Sequence, residues 1–391
     1  MKSPPSTRER PRRVAIVCDA VAPWHKGGRE TILQQLAPRL VHEMQAVDVY
    51  TMKWWDEPAR SITMEGVTYH ALCARRPLYR DGRRSMGQAV IFALSIFKLL
   101  GARFDVLHVD SMPFFPLYAA RVVAWVKRRR MTSIWLEVWG RAYWRAYAGP
   151  VAGQVGYTIE HFAAHLPDAI VSISHSTTDR LRNAGVTGPL TTLTLGVDHA
   201  AIAAAPAAMR TCDAIYVGRL IEHKGVDLFL RALARLKARR GHATAIIVGD
   251  GPEKRALETL CSTLGLTADV AFVGEAADNT EVYSLMKSAQ MLALPSRREG
   301  FGLVVVEANA AGVPVVTLDH PDNAARDLIR PGVNGFLACD DPEDFALKMD
   351  EILRTRAHMR PREGVERFDW DAVARQCDAL FWETKPVENS P

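Results

Sequence analysis

The sequence predicts an α/β chain built as two doubly wound domains that face each other across a cleft. Three observations carry that expectation. A length of 391 residues exceeds one typical core and favours two domains of about 150 to 200 residues each. Short apolar runs bounded by turn residues alternate with helical patterns, which implies a parallel sheet covered on both faces. The alternation restarts beyond an Ala/Pro-rich segment that follows Gly196-Val197-Asp198, so the second half repeats the architecture of the first.

Composition narrows the class. With 48% hydrophobic and 24% charged residues, the chain reads as an ordinary soluble globular protein, and no apolar run reaches the roughly 18 to 20 residues that span a bilayer. The Pro- and Arg-rich start lacks an apolar segment, so residues 1–12 are expected to form a disordered tail and not a secretion signal. Six scattered cysteines with no C-x-x-C pair suggest a reduced, cytoplasmic protein without structural zinc. Charge is uneven: 26 basic against 16 acidic side chains in residues 1–200, and 23 against 28 in 201–391. The basic half suits an anionic partner such as a phosphorylated acceptor or the inner face of an anionic membrane, with a plain solvated surface as the alternative. Nucleic acid is disfavoured, because Arg128, Arg129 and Arg130 come with no aromatic stacking pattern or known module.

In the first half, 14–18 is a buried strand, followed by a loop that ends in Gly27-Gly28 and a helix over 29–43. A strand, a glycine loop and a helix in that order can cradle a phosphate, although the spacing is not G-x-G-x-x-G. Further strands are expected at 47–52, 67–71, 106–109, 133–138 and 170–174. Helices are expected at 86–100, mostly buried or, as the alternative, resting on a membrane surface, and at 117–126 and 176–183. Ligands of such sheets sit at the carboxyl ends of the strands, where 19–28, His108, Asp110 and Trp139 all fall. The segment 195–210 reads as the interdomain linker. Beyond it lie strands at 214–217, 245–248, 270–273, 291–294 and 313–317.

The second half carries the chemistry. Arg219 and Lys224 lie between the strand end at 217 and a helix over 226–239, where an Arg fork and a mobile Lys charge can converge on a diphosphate. Gly249-Asp250-Gly251-Pro252 is a strand-end turn, and Glu275 ends the next strand, where backbone could read a nucleobase edge. The stretch Glu299-Gly300-Phe301-Gly302 then opens a short apolar helix. Gly300 and Gly302 let a ligand approach the main chain, and the first-turn N–H groups near Leu303 and Val304 form an anion site. Glu299 and Glu307 flank that site. Carboxylates beside an anion site suggest hydroxyl partners, and phosphate with polyol suggests an activated sugar.

These residues carry a resemblance. V-G-R-L-x-x-x-K-G (217–225), G-D-G-P (249–252), P-S-x-x-E-G-F-G-L (295–303) with Glu307 eight residues after Glu299, and A-x-G-V-P-V-V (310–316) resemble glycosyltransferase family 4. Weaker support comes from Gly27-Gly28, from G-V-D (196–198) and from F-D-W-D-x-V-A (368–374). The resemblance implies the GT-B fold of two Rossmann-like domains, with residues 13–198 plus a returning helix at about 368–385 binding the acceptor and residues 208–366 binding the nucleotide sugar. It implies a retaining hexosyltransferase of mannose or glucose type, acting from a GDP- or UDP-sugar on a carbohydrate or glycolipid hydroxyl, without a metal or further cofactor. Residue by residue, Arg219 and Lys224 match the diphosphate-binding pair, with Gly27 and Gly28 the loop that closes on it. Glu299 matches the glutamate that holds the donor sugar, Glu307 the one on the ribose, and Phe301 to Val304 the main chain against sugar and phosphate.

One departure stands out. Family members often carry a histidine where this chain has Leu136, in Leu136-Glu137. Glu137, His108, Asp110 and Trp139 are therefore weak acceptor-side candidates, and Trp139, Arg141, Tyr143 and Trp144 either stack on sugar rings or form a packed helix face. Asp369-Trp370-Asp371 mimics a D-x-D metal motif but suits a helix start with Asp as N-cap. Two other functions compete with transfer: a catalytically weak nucleotide-sugar-binding partner of another transferase, and a nucleotide-sugar epimerase.

Overall fold

The computed structural model describes residues 12–25, 27–42, 45–80, 83–209 and 211–382. Residues 1–11 of the expected tail lie outside these, and Arg12 already belongs to the first strand. The chain divides into two units, Met1–Thr194 with Trp370–Pro391, and Leu195–Asp369.

The first unit contains β1 (Arg12–Val17), α1 (Gly28–His42), β2 (Gln45–Lys53), β3 (Ser61–Met64), β4 (Val67–Ala74), the small ribbon β5 (Tyr79–Arg80) and β6 (Arg83–Arg84), and α2 (Met86–Ser95). It continues with β7 (Val106–Asp110), α3 (Phe115–Lys127), β8 (Arg130–Trp135), α4 (Gly140–Ala148), α5 (Pro150–Ala163), β9 (Ala169–Ser172), α6 (His175–Asn183) and β10 (Leu190–Thr192). Its eight-stranded sheet has the order β10-β9-β8-β7-β1-β2-β4-β3. The central strand β1 pairs in parallel on both sides, Val14 with Val47 and with Val106, and consecutive residues Val14 to Val17 are all buried, so both faces of that stretch are covered. That double burial is why its sequence is an uninterrupted apolar run instead of an alternation.

Three sequence expectations are corrected here. Strand β3 is antiparallel to β4, because Glu65 and Gly66 both take positive φ (50° and 79°), a two-residue hairpin geometry that reverses the chain. Strand β8 ends at Trp135 and not at residue 138. Beyond it, Leu136 C=O accepts from Thr177 Oγ1, and Trp139 and Gly140 donate their N–H groups to Glu160 (2.7 and 2.9 Å), which turns the chain out of the sheet into α4. The helix expected over 86–100 stops at Ser95 and tightens into a 3₁₀ turn, Ile96–Gly101. It is also not mostly buried: Phe92, Ala93, Ile96 and Leu99 face inward while Val90, Ile91, Leu94, Phe97 and Leu100 face solvent.

The second unit opens with α7 (His199–Ala204), capped by Asp198 Oδ1 accepting from Ala201 N at 2.8 Å. There follow β11 (Cys212–Val217), α8 (Val226–Arg240), β12 (Ala245–Val248), α9 (Lys254–Thr263), β13 (Val270–Gly274), α10 (Asn279–Lys287) and β14 (Ala289–Leu294). The unit closes with α11 (Leu303–Ala311), β15 (Val315–Leu318), β16 (Gly335–Ala338) and α12 (Pro342–Thr355). Its six-stranded sheet, β13-β12-β11-β14-β15-β16, is parallel throughout. Helix α13 (Trp370–Trp382) returns to the first unit and packs on α1, where Arg39 Nε donates to Asp371 Oδ1 at 2.8 Å. Residues 383–385 of the expected returning helix lie outside the described residues. Among the described residues no helix is long and apolar enough to cross a membrane.

Neighbouring strand ends of the second sheet approach closely. Gly249, at φ 136°, donates to Gly274 C=O at 2.7 Å, and a Cβ there would overlap the Gly218 carbonyl. Gly249→Ala is expected to destabilise the protein by roughly 2 kcal/mol or more, read as a lower denaturation midpoint at unchanged slope.

Candidate active site

The site is built on the carboxyl edge of the second sheet. After β14 the chain runs through Pro295 to Gly302 before α11 begins, and this loop is pinned from beneath. Thr317 Oγ1 donates to Leu294 C=O (2.8 Å), while the fully buried Asn323 donates Nδ2 to Thr317 Oγ1 (3.0 Å) and Leu318 C=O (2.8 Å). Glu299 is held by its own backbone, donating N–H to Asp322 C=O (3.1 Å) and accepting from Ala324 N (3.0 Å). Gly302 is the N-cap of α11 at φ 94°, packed so that a Cβ would strike Ala325. The left-handed cap presents the first-turn N–H groups of Leu303 and Val304 at the positive end of the helix, a site suited to an anion. Phe301 is buried against Phe368 at 6.2 Å between ring centroids.

Lys224 reaches this loop from the next strand over. It ends a short 3₁₀ turn, and Gly225 (φ 65°) follows with no room for a Cβ beneath the Pro295 carbonyl. Backbone contact at Gly225 and the Arg297 N–H donated to His223 C=O (2.9 Å) lock the two loops together. Lys224 Nζ then donates to Glu299 Oε1 at 2.7 Å, with side chains 20% and 12% exposed. Arg219 is fixed through its carbonyl, which accepts from Tyr216 Oη at 2.9 Å. The local field shows in His223. Burial pushes its imidazole down to about 4, and Lys224, Arg298 and Arg219 push in the same direction against Glu299. The structure thus gathers Arg219, Lys224, Glu299 and a cation that the sequence reading missed, the buried Arg298.

Glu307 lies one turn into α11. Burial pushes its carboxyl up to about 7, although Tyr283 Oη donates to Oε1 at 3.3 Å and pulls the other way. Tyr283, itself buried, is a second partner the sequence reading missed. Gly249 is required by backbone packing, as described above, and Glu275 stands exposed at the end of the edge strand β13.

The first-unit candidates have other partners. Gly28 starts α1, and Gly27 lies so close to the Glu30 carboxylate that a Cβ would collide with it. Arg29 bridges three buried carboxylates: Asp19 (3.0 Å), Glu30 (2.9 Å) and Asp110 (Nε, 3.1 Å). Burial pushes Asp110 up to about 6, with Arg29 opposing. His108 is buried, held by burial at about 4, and shares a 2.9 Å hydrogen bond with Thr132 Oγ1. Both are therefore integrated into the interior of the unit. Leu136 lines an apolar cavity of about 30 Å³ with His108, Arg29 and Asp110. Glu137 lies beyond the end of β8 and is half-buried. Trp139 heads an aromatic cluster with Tyr143, Trp144 and Tyr147 at 4.7 to 5.1 Å between centroids. It also lines a pocket of about 330 Å³ with Arg141, Tyr157, His161 and Arg180.

Two parallel-sheet α/β units with an anion-suited helix start in the second define the GT-B class of fold. Two family descriptions match the chain, "Glycosyl transferase 4-like domain" over residues 27–196 and "Glycosyl transferases group 1" over residues 203–364. The chain belongs to glycosyltransferase family 4. It is similar to an uncharacterized glycosyltransferase of Methanocaldococcus jannaschii, 31% identical over 174 residues that cover 43% of this chain and 44% of the relative. It is also similar to phosphatidyl-myo-inositol mannosyltransferase of Mycolicibacterium smegmatis, 34% identical over 198 residues, 48% of this chain and 50% of the relative. The chain thus spans about half the length of each of these two relatives. In fold it resembles HepE of Anabaena, solved in complex with UDP, at a TM-score of 0.72 and 18% identity over 94% of this chain and 99% of the other.

Because Glu307 binds its proton more tightly in the folded state than in the unfolded chain, it contributes stability below about pH 4.5 that is lost as pH rises toward 7. Glu307→Gln is expected to flatten this component, gaining roughly 1–3 kcal/mol relative to the parent between pH 5 and 8. Paired denaturant titrations across that range check it, and a pH-independent difference between the two proteins would refute the protonation argument.

Proposed function

We propose that this chain is a retaining hexosyltransferase that moves a mannose- or glucose-type sugar from a GDP- or UDP-sugar to a hydroxyl of a carbohydrate or glycolipid acceptor. The observation that carries the reading is the Lys224–Glu299 pair of 2.7 Å beside the left-handed start of α11. One charge of the pair suits a phosphate and the other suits sugar hydroxyls, so a donor carrying both groups satisfies each without leaving a buried charge unpaired. In this reading Arg219, Lys224 and the α11 N-terminus stabilise charge growing on the departing diphosphate, while Glu299 holds the sugar and Glu307 the ribose. The sugar C1–O bond to phosphate breaks, the acceptor oxygen bonds to C1 on the same face, and its proton passes to the leaving phosphate. No separate base and no metal is required by that balance. Gly27 and Gly28, Gly249 and Glu275 are assigned to the donor. Glu137 and Trp139 are assigned to the acceptor, with His108 and Asp110 behind them as buried support. The reaction is placed in the cytoplasm, at the inner face of the membrane when the acceptor is a lipid.

Leu136 favours a second reading, because the cavity it lines is apolar where many relatives offer a histidine to the donor sugar. A catalytically weak binding subunit would keep donor affinity without turnover, and an epimerase would alter the donor with no acceptor present.

Thermal shift with GDP-, UDP- and ADP-sugars is expected to raise the melting temperature for one base only. With that donor and an acceptor, Lys224→Ala and Glu299→Ala should each reduce kcat/KM by about 100-fold or more while melting remains cooperative. Undiminished transfer by either variant would remove the assignment. Binding without transfer by the parent chain would establish the partner-subunit reading.

A further inference from the structure

Three neighbouring helices of the first unit turn apolar side chains outward at helical spacing. On α2 and the 3₁₀ turn after it, Ile91, Leu94 (62% exposed) and Phe97 lie on one stripe. On α3, Val122, Trp125 (73% exposed) and Val126 repeat at i, i+3 and i+4. On α5, Val151 (78% exposed), Val155 and Phe162 do the same over three turns. Helix α3 packs on α2 and its 3₁₀ turn and also on α5. Lys127 Nζ donates to Leu100 C=O at 3.0 Å, and Tyr118 Oη donates to Ile159 C=O at 2.7 Å, so the stripes belong to one connected face. Single exposed apolar residues are ordinary on a protein surface, but a contiguous face of this kind marks an interaction site.

Charge identifies the occupant. Between residues 86 and 160 there are nine Lys and Arg but only four carboxylates, Asp105, Asp110, Glu137 and Glu160. Asp110 and Glu160 are buried. Residues 86–104 and 111–136 contain no Asp or Glu at all. Lys98 and Arg103 stand exposed beside the α2 stripe, and Arg128 and Arg129 stand exposed at the end of α3. Asp105, part-exposed, is paired with Arg129 at 3.3 Å, and the remaining surplus of cations around the Trp, Phe and Leu side chains suits an interface of acyl chains and anionic headgroups.

We propose that this face of α2, α3 and α5 docks on an anionic phospholipid bilayer, inserting Leu94, Phe97 and Trp125 while Lys98, Arg103, Arg128 and Arg129 meet the headgroups. The proposal gives a location to the membrane contact in the function proposed above, but it stands on separate residues, and its test needs neither donor nor acceptor. Failure to bind vesicles therefore leaves the transferase reading intact, and failure of transfer leaves this one intact.

The full chain is mixed with vesicles of phosphatidylcholine alone or with 30% phosphatidylglycerol, and binding is read by sedimentation at low and high salt. The expected result is binding to the anionic vesicles that weakens with salt, and at least about tenfold weaker binding by the double variant Leu94→Glu, Trp125→Glu. Both positions are exposed, so the variant should melt like the parent. A second measurement uses Trp125→Phe, which should keep binding but lose the part of the blue shift in tryptophan emission that arises on vesicle addition. Three outcomes would each overturn the proposal: no binding to anionic vesicles, equal binding by the folded double variant, or vesicle-independent self-association that the double variant abolishes. The last would assign the face to a second copy of the chain.

Discussion

At the carboxyl edge of the second sheet, backbone meets backbone with no space for a side chain between. Gly249 lies against the Gly218 carbonyl, Gly225 lies beneath the Pro295 carbonyl, and Gly302 abuts Ala325. Each of these glycines also takes a positive φ, so neither the space nor the conformation admits another residue without strain. This constraint places the loops after β11 and β14 in direct contact. Lys224 and Glu299, 75 positions apart, meet because their backbones are already fixed on either side of that contact. The site's geometry is thus a property of packed main chain, which is stiffer than any arrangement of long side chains could be.

Electrostatics follow from that packing. Cations converge on a part-buried edge: burial is the main reason that His223 stays neutral, and Lys224, Arg298 and Arg219 push in the same direction. Glu299 offsets part of the field, and the α11 N-terminus adds to it. Glu307 occupies a different environment on the same helix. There, desolvation dominates and the carboxyl is held near neutrality beside Tyr283. Two carboxylates eight residues apart therefore meet opposite surroundings, which matches the separate partners proposed for them.

Much of this was legible in the sequence wherever burial writes directly into composition. Doubly buried strands such as β1, β11 and β12 are plain apolar runs, and their observed ends fall within two residues of the expected ones. Glycines, Arg219, Lys224 and the two glutamates marked out the candidate site through residue type and spacing, and Lys224 and Glu299 do meet. What escaped was decided by tertiary partners. The end of β8 depends on Glu160 accepting from Trp139 and Gly140 across twenty residues. Helix α4 was legible only as one of two alternatives, because its aromatic face, which buries none of its side chains fully, reads equally as a stacking surface. Tyr283 meets Glu307 only after α10 packs on α11. The helix over 86–100 was misjudged for the converse reason: apolar residues on both faces read as burial, whereas here one face remains in solvent.

The two units solve different problems with charge. The second arranges its cations at a partly exposed sheet edge, where they can exchange a protein carboxylate for a ligand. The first buries its charge instead. Asp19, Glu30 and Asp110 surround Arg29, with Arg84 and Gln88 completing the coordination of Asp19. Such a network is costly to desolvate, and within it Arg84 Nε and Gln88 Oε1 have no hydrogen-bond partner among the described residues. It joins the loops that follow β1 and β7 to the start of α1, because Arg29 also donates to the Met112 carbonyl. Removing Arg29 would take away the one cation that bridges all three carboxylates, leaving Asp19 to Arg84 and Gln88, Glu30 to His25 and Asp110 to the Met112 N–H, so this side chain ties the start of α1 to the loops after β1 and β7. The acceptor-side candidates His108 and Asp110 lie inside this support, whereas Trp139 stands half-buried beyond the end of β8 and heads the aromatic cluster with Tyr143, Trp144 and Tyr147.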